Sequence, residues 1–304
     1  MSEQQQHEHP LKAFSDGLAD AVARAGASIV RVEGRQRQAA SGFVWDEHGR
    51  IVTASHVVEK DEQIVIGLPN GGTTTASLVG RDDGTDVALL RLEQPGGVPA
   101  ERAAHHKIGS MTFLVARPGD GLATSFGVIS AIESSLRDGG QHAGESVLLT
   151  DATFYPGFSG GAMIDLTGSV IGLATSGSRG ERGVVVPVQT VDRIVTILQS
   201  QGRVSRGFLG ITSQPVPLPP ALREAAALQQ ERGLLVLGTE IDGPAAQGGM
   251  LVGDIVVMVA EKPVRSPEEL FVLLRHMSGG LRTPIGLIRG GKRLDLDVTL
   301  GNRA

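Results

Sequence analysis

The spacing of apolar residues changes along the chain, and each change predicts a different kind of element. Leu11, Phe14, Leu18 and Val22 recur at helical spacing and predict an amphipathic helix over residues 11–24. Short apolar runs separated by Gly, Asp, Asn and Pro come next, and they are typical of the strands and turns of an all-β barrel or sandwich. The predicted strands cover residues 28–32, 42–45, 51–53, 63–68, 76–81, 87–92, 124–132, 147–150, 162–165, 170–174 and 183–188.

Helical spacing returns after this β region and predicts a helix over residues 188–200, with Thr190 as N-cap and an end near Gly202. The last hundred or so residues mix both patterns. Within them, Ser266-Pro267-Glu268-Glu269 combines a capping box with Pro at the first helical position, which predicts the start of another helix. That helix is expected to reach Gly279.

Composition narrows the function classes. The 304 residues are enough for two domains, and a net charge of −5 without basic runs gives no support for nucleic-acid binding. The chain has no cysteine, which excludes disulfides, a thiolate nucleophile and a cysteine-based metal site. The pairs His7 with His9 and His105 with His106 are interpreted as solvated surface residues, so neither a metal nor a cofactor is expected.

The stretch Gly157-Phe158-Ser159-Gly160-Gly161 predicts a nucleophilic serine. A serine hydroxyl attacks a carbonyl when a histidine takes its proton, and glycines allow the sharp turn and expose N–H groups to an oxyanion. The stretch also fits the nucleophile elbow of α/β-hydrolases, which needs a helix after the serine and a downstream histidine. Short strands follow Ser159 instead, and the only later histidine is His276, so that alternative fails.

His56 and Asp86 are the candidate partners of Ser159. His56 ends a buried-looking strand, and Asp86 stands at the start of the apolar run Val87-Ala88-Leu89-Leu90. A buried carboxylate needs a partner, for which an imidazole N–H is suitable. Either residue alone would be ordinary, but the order His, Asp, Ser is a workable one for a triad.

The chain resembles the HtrA/Deg family of trypsin-like serine proteases with one C-terminal PDZ domain. The resemblance extends from about residue 12 to residue 301. It implies a mainly β fold, with a chymotrypsin-like double β-barrel protease domain followed by an α+β PDZ domain. The implied organisation is a disordered tail over 1–10, a protease domain with its N-terminal helix over 11–201, a linker over 202–206 and the PDZ domain over 207–301. The matching segments are 41–44, 53–58, 86–90, 150–152, 156–161, 206–211, 243–246 and 253–256.

The resemblance also implies residue roles in the protease domain. Ser159 would be the nucleophile, His56 the general base and Asp86 the residue that orients His56. The loop residues Gly157, Phe158 and Ser159 would supply the oxyanion hole, with the N–H groups of Gly157 and Ser159 as donors. A substrate would add as a strand along the residues that follow Gly172. Those residues are Leu173, Ala174 and Thr175.

In the PDZ region, the resemblance implies a loop that captures the C-terminal carboxylate of a peptide through its backbone N–H groups. One wall of the peptide groove would be the helix that carries Leu270 and Leu274. Packing of the domain without peptide capture is the alternative for this loop. Its residues are Phe208, Leu209, Gly210 and Ile211.

The family resemblance implies a serine endopeptidase that cleaves unfolded or misfolded proteins, works in protein quality control and stress response, and assembles as a homotrimer. Peptides with hydrophobic C-termini would regulate it, and no membrane span is expected. No signal peptide is visible, which predicts a cytoplasmic protein, or a periplasmic or secreted one if a leader has been removed.

The chain departs from the family pattern at Phe158, where Asn is usual, and at Arg117-Pro118-Gly119-Asp120-Gly121-Leu122, where an Asn-Pro-Phe/Leu-Gly pattern is usual. A bulky side chain at Phe158 is expected to alter the primed side of the site. These departures keep an alternative open, namely a catalytically impaired, protease-like protein that acts as a PDZ interaction module.

Overall fold

The computed structural model describes residues 9–36, 38–103, 105–134, 146–176, 183–204, 206–275, 277 and 279–303. The predicted tail over 1–10 lies almost entirely outside the described residues. The chain divides into two compact units, one from the N-terminal helix to Arg203 and one from Val204 to the last strand.

The first unit begins with a closed six-stranded barrel. Its strands follow the order β1-β2-β3-β6-β5-β4, and neighbouring strands pair antiparallel. Val30, Ile51, Ile66 and Leu90 are fully buried in its interior, as period-2 patterning requires. The strands are β1 (Ile29–Glu33), β2 (Ala40–Val44), β3 (Arg50–Ala54), β4 (Ile64–Gly67), β5 (Thr73–Asp82) and β6 (Val87–Leu92).

A second closed six-stranded barrel follows in the order β10-β11-β12-β9-β8-β7. Leu114, Leu148, Met163 and Ile171 are buried in its interior. The two barrels confirm the predicted mainly β, chymotrypsin-like fold, although β7 has no counterpart among the predicted strands. The strands are β7 (Met111–Ala116), β8 (Ala123–Ser134), β9 (Ser146–Thr150), β10 (Ala162–Ile164), β11 (Val170–Thr175) and β12 (Val184–Pro187).

Two helices flank the barrels. α1 (Pro10–Gly26) and α2 (Val188–Gln201) confirm both predicted helices of this unit. The predicted N-cap Thr190 is wrong, because α2 starts directly after Pro187 and uses no side-chain cap. Its C-terminal cap is Gly202, in the left-handed conformation (φ 71°), with its N–H bonded to the Leu198 carbonyl.

The second unit is an α+β domain with a two-stranded and a larger antiparallel sheet. β13 pairs with β20, and the larger sheet runs β14-β15-β16-β18-β19, with β17 beside β16. The Ser266 hydroxyl accepts from the Glu269 N–H at 3.3 Å, as a capping box predicts, whereas the Glu269 carboxylate accepts from the Arg265 N–H. The elements are β13 (Arg206–Phe208), β14 (Ile211–Pro217), α3 (Pro220–Ala225), β15 (Arg232–Thr239), α4 (Pro244–Gln247), β16 (Ile255–Val259), β17 (Lys262–Pro263), α5 (Pro267–Arg275), β18 (Arg282–Arg289), β19 (Lys292–Thr299) and β20 (Gly301–Arg303).

Candidate active site

Two neighbouring strands of the first barrel bring His56 and Asp86 together. β3 pairs with β6 so that Ala54 lies opposite Val87. His56 follows β3 in a single 3-10 turn, and Asp86 directly precedes β6. The two side chains therefore meet at the same end of the strand pair.

The Asp86 carboxylate holds both the backbone and the side chain of His56. Oδ1 accepts from the His56 N–H at 2.9 Å, and Oδ2 lies 2.7 Å from Nδ1. An ionised carboxylate only accepts hydrogen bonds, so Nδ1 carries a proton, and in the neutral imidazole Nε2 then keeps a free lone pair. This is the tautomer that can take a proton from a nucleophile.

Asp86 stays ionised although it is only 1% exposed. Burial acts to raise the pKa of its carboxyl, but the hydrogen bonds and charge of His56, together with the Thr175 hydroxyl, outweigh burial and lower the pKa below its ordinary value. The Thr175 hydroxyl donates to Oδ2 from the second barrel. The carboxylate thus receives hydrogen bonds from both barrels.

Ser159 lies in the loop before β10, with its backbone held by neighbouring strands. The Gly160 N–H donates to the Ala174 carbonyl at 2.8 Å, and the Gly161 N–H donates to the Phe158 carbonyl at 2.9 Å. The Ser159 hydroxyl is 2.8 Å from the Ser176 hydroxyl and accepts from the Ser176 N–H at 3.3 Å. Across the described part of the chain, no hydrogen bond joins Ser159 to His56.

The backbone N–H groups around Ser159 divide into two kinds. The Phe158 N–H donates to the Tyr155 carbonyl at 3.0 Å and is therefore not available to an oxyanion. The N–H groups of Gly157 and Ser159 have no hydrogen-bond partner among the described residues. The inclusion of Phe158 in the predicted oxyanion hole is therefore wrong, and two candidate donors are left.

The Phe158 side chain points into the second barrel. It is 1% exposed, belongs to the core of that barrel with Leu114 and Met163, and meets Tyr155 edge-on with ring centroids 5.4 Å apart. The expectation that this side chain alters the primed side of the site is wrong, because a core position removes it from the substrate side. Its apolar character instead anchors the loop.

The predicted substrate strand is wrong for Leu173 and Ala174. β11 lies between β10 and β12, with Leu173 opposite both Ala162 and Val186. Ala174 uses its N–H and its carbonyl on Gly161 and Gly160. A strand paired on both sides has no free edge for a substrate. Only Thr175, the last residue of β11, remains from the predicted set.

In the second unit, the loop between β13 and β14 fits carboxylate binding. Gly210 has a φ of 72°, its carbonyl accepts from the Glu240 N–H at 2.8 Å, and the Leu209 carbonyl accepts from the Ala245 N–H at 2.9 Å. The N–H groups of Leu209 and Gly210 have no partner among the described residues. Phe208 ends β13, and Ile211 begins β14.

The strand β14 and the helix α5 contact each other beside this loop. β14 pairs with β15 and with no other strand in the described part of the chain, so one edge of it is open. Leu270 and Leu274 of α5 are buried in one core cluster with Leu209, and Ile211 packs against that cluster. Both predicted groove residues therefore support the loop from inside rather than standing free.

Two closed barrels with this His–Asp pair and serine loop place the chain in the class of trypsin-like serine proteases. The trypsin-like peptidase domain family matches residues 40–173, and the PDZ domain family matches residues 207–300. The serine endoprotease DegS of Escherichia coli K12 is 31% identical over 92% of this chain and 84% of its own length. A probable periplasmic serine endoprotease, DegP-like, of Pseudomonas fulva is 31% identical over 88% of this chain and 57% of its own length.

Solved structures agree with these relatives. A crystal structure of the serine endoprotease from Yersinia pestis has a TM-score of 0.78 and 28% identity, and covers 94% of this chain and 98% of its own. The HtrA-type protease AlgW with a decapeptide has a TM-score of 0.77 and 25% identity, and covers 94% of this chain and 99% of its own. The chain belongs to the HtrA/Deg family of serine endoproteases and carries a PDZ domain.

These comparisons do not support the cytoplasmic location expected from the sequence, since the DegP-like relative is described as periplasmic. None of the described helices is both long enough and apolar enough to cross a membrane.

Proposed function

We propose that Ser159, His56 and Asp86 form the catalytic triad of this serine endopeptidase, and that peptide binding at the PDZ domain regulates it. The observation that carries the proposal is the 2.7 Å contact between His56 Nδ1 and Asp86 Oδ2 beside a serine loop with two unpaired N–H groups. The lowered pKa of Asp86 supports the same assignment, because an ionised carboxylate fixes the His56 tautomer.

In the proposed reaction, Ser159 Oγ attacks the scissile carbonyl while His56 Nε2 takes the hydroxyl proton. The N–H groups of Gly157 and Ser159 stabilise the oxyanion, each worth roughly 3 kcal/mol in the transition state. His56 then protonates the leaving amine, which leaves an acyl group on Ser159. A water molecule, deprotonated by His56, hydrolyses the ester and restores the serine.

We also propose unfolded or misfolded proteins as substrates in quality control and stress response, and peptides with hydrophobic C-termini as ligands of the 207–301 domain. Support for the peptide site comes from the unpaired N–H groups of Leu209 and Gly210 and the open edge of β14. The rest of the organisation, with an 11–201 protease domain and a 202–206 linker, is proposed as the sequence predicts it.

A homotrimer is the proposed assembly. Leu11 and Phe14 lie one turn apart on α1 and are 72% and 52% exposed, and neighbouring exposed apolar side chains mark a contact between proteins when they form a larger patch. Sedimentation equilibrium of the full chain tests the assembly, and a monomer mass at micromolar concentration contradicts it.

The decisive experiment for catalysis uses a fluorophosphonate probe and an unfolded reporter protein, each with and without a hydrophobic C-terminal peptide. We expect the wild-type chain to bind the probe covalently and to degrade the reporter, and Ser159→Ala to do neither. Peptide is expected to raise the wild-type rates. Identical behaviour of the two chains under every condition would contradict the protease function and favour the alternative, a catalytically impaired protein that acts as a PDZ interaction module.

A further inference from the structure

Ser41, a fully buried serine and the second residue of β2, contacts the loop that carries Ser159. Its hydroxyl accepts from the Arg117 N–H at 2.8 Å and donates to the Gly157 carbonyl at 2.9 Å. A serine hydroxyl has one proton, so acceptance from Arg117 leaves that proton for Gly157. The Ser41 N–H also donates to the Ser159 carbonyl at 3.0 Å.

The peptide between Gly157 and Phe158 is consequently held at both ends. A trans peptide is planar, and its C=O and N–H point in opposite directions. Ser41 binds the carbonyl end, and the Tyr155 carbonyl accepts from the N–H end at 3.0 Å. Rotation of this plane is therefore blocked, which fixes the backbone between the two unpaired N–H groups of Gly157 and Ser159.

Arg117 is itself held in place, and its backbone N–H sets the direction of the Ser41 hydroxyl. Its guanidinium is buried and donates to three backbone carbonyls, those of Ile29 at 2.8 Å, Asp120 at 2.7 Å and Gly26 at 3.2 Å. These bonds tie the residue to β1 and to the end of α1. The Arg117 N–H, which points at Ser41, is thus attached to the barrel rather than to a free loop.

Gly157 is closely surrounded by other residues. Gly157 has a φ of 86°, and a Cβ at this position would lie 2.5 Å from Pro118 Cβ and 3.0 Å from the Ala39 carbonyl oxygen. Pro118 directly follows Arg117, so one short segment contacts both Ser41 and Gly157. These close neighbours limit how far Gly157 can move toward another partner if its carbonyl loses the Ser41 hydroxyl.

We propose that Ser41, held by Arg117, is the positioning residue that keeps the oxyanion loop in its productive orientation. This inference rests on the proposed function of Ser159 and of the two N–H groups. Ser41 touches neither substrate nor nucleophile side chain and acts through the Gly157 carbonyl. Its loss is expected to lower the rate of the chemical step and to leave the affinity for the ground state nearly unchanged.

The test measures fluorophosphonate labelling as a rate constant, kinact, and an apparent affinity, KI. We expect Ser41→Ala to lower kinact about 10- to 100-fold, as misplaced catalytic groups do, with KI within about twofold of wild type. Thr112→Val is the matched control, because it removes another buried hydroxyl-to-carbonyl bond, at 3.4 Å, from a barrel strand. It is expected to leave kinact unchanged.

Two further variants separate hydrogen bonding from packing. Ser41→Cys changes the volume little but offers only a weak donor, whereas Ser41→Thr adds a methyl group and keeps the hydroxyl. If Ser41 acts through its hydrogen bond, kinact should be highest in Ser41→Thr, lower in Ser41→Cys and lowest in Ser41→Ala. If Ser41 acts only through packing, kinact should be higher in Ser41→Cys than in Ser41→Thr. The second order, or a wild-type kinact in Ser41→Ala, overturns the proposal.

Hydrogen exchange of the Phe158 amide gives a readout that needs no activity. We expect this amide to exchange about tenfold faster in Ser41→Ala than in wild type, because the peptide plane is released, and to be unaffected by Thr112→Val. Unchanged exchange in Ser41→Ala counts against the positioning role. If wild type and Ser159→Ala label alike, the proposed function fails, and the exchange measurement still decides the role of Ser41.

Discussion

At the scale of single residues, the Ser159 hydroxyl is hydrogen-bonded to Ser176 and not to His56 in the described part of the chain. Its oxygen has hydrogen bonds with Ser176, while His56 is held by Asp86. In the proposed mechanism, attack on a substrate requires the hydroxyl proton to reach His56 Nε2. The pair with Ser176 therefore competes with the catalytic hydrogen bond.

Replacement of Ser176 tests this competition. We expect Ser176→Ala to raise the labelling rate of Ser159 about threefold to tenfold without peptide, since one lost hydrogen bond of about 1 kcal/mol corresponds to roughly a factor of five. Fluorophosphonate labelling at neutral pH measures the rate. Ser200→Ala, an exposed serine of α2, is the control. A slower rate in Ser176→Ala would mean that Ser176 assists the nucleophile instead.

At the scale of elements, the loop between β13 and β14 joins backbone geometry to ligand chemistry. Gly210 adopts a φ of 72°, a region that Asp tolerates better than most residues. The nearest neighbours of an added Cβ lie 3.4 Å or more away, so the cost of a substitution comes from the backbone conformation and not from a clash of the Cβ. A carboxylate at this position would add a negative charge to the loop that is proposed to bind the carboxylate of a peptide.

Gly210→Asp is therefore expected to weaken binding of a peptide with a hydrophobic C-terminus at least tenfold through charge repulsion. Isothermal titration calorimetry with the free-acid and the amidated peptide measures the effect, which should be largest for the free acid. Gly291→Asp is the matched control, because Gly291 has a φ of 79° and open space around it. Equal losses in both variants would contradict the carboxylate loop.

How far the sequence predicts these elements depends on whether the signal is local. The run Val87–Leu92 and the periodic segment of α2 are recognised because their residues alone carry the pattern. β7 has a similar apolar run at Met111–Ala116, which could have been recognised by the same rule. The two-sided pairing of β11 could not, because it depends on partner strands distant in the chain.

The candidate site shows the same division. Its triad candidates stand in recognisable local contexts, and the structure places His56 beside Asp86. The direction of the Phe158 side chain, and the roles of Ser41 and Ser176, depend on contacts across the barrels. A serine within the apolar run of β2 was the one sequence signal for Ser41, since a buried hydroxyl needs a partner.

At the scale of the whole molecule, each unit has its own buried core and at least one buried carboxylate. In the first unit, Asp86 directly precedes β6 and is 1% exposed. In the second unit, Asp254 is 1% exposed and accepts from Arg289 Nε at 2.8 Å, from a second guanidinium nitrogen at 2.7 Å and from the Leu251 N–H at 2.8 Å. Stability of the second unit should depend on the ionisation of this carboxylate.

Burial acts to raise the pKa of Asp254, but the Arg289 and Leu251 hydrogen bonds lower it below the ordinary value. A lowered folded-state pKa means that the stabilisation is fully present above the unfolded pKa of about 3.9 and is lost as the pH falls through the folded pKa. We therefore expect the calorimetric midpoint of the second unit to be steady from pH 7 to about pH 5 and to fall below about pH 4.

Asp254→Asn tests whether this carboxylate causes the loss of stability in acid. The variant replaces one accepting carboxylate oxygen with an amide N–H₂, which cannot accept a hydrogen bond from Arg289 or Leu251. At pH 7 we expect the transition of the second unit to fall by roughly 5 to 10 °C, while the other transition and the labelling rate of Ser159 stay at their wild-type values. The calorimetric midpoint of the variant should also fall by less than that of wild type when the pH is lowered. Asp297→Asn, which removes an exposed 2.8 Å pair with Arg282, serves as control and should shift the midpoint by little. If both variants shift the second transition equally, the buried pair is not what stabilises this unit against acid.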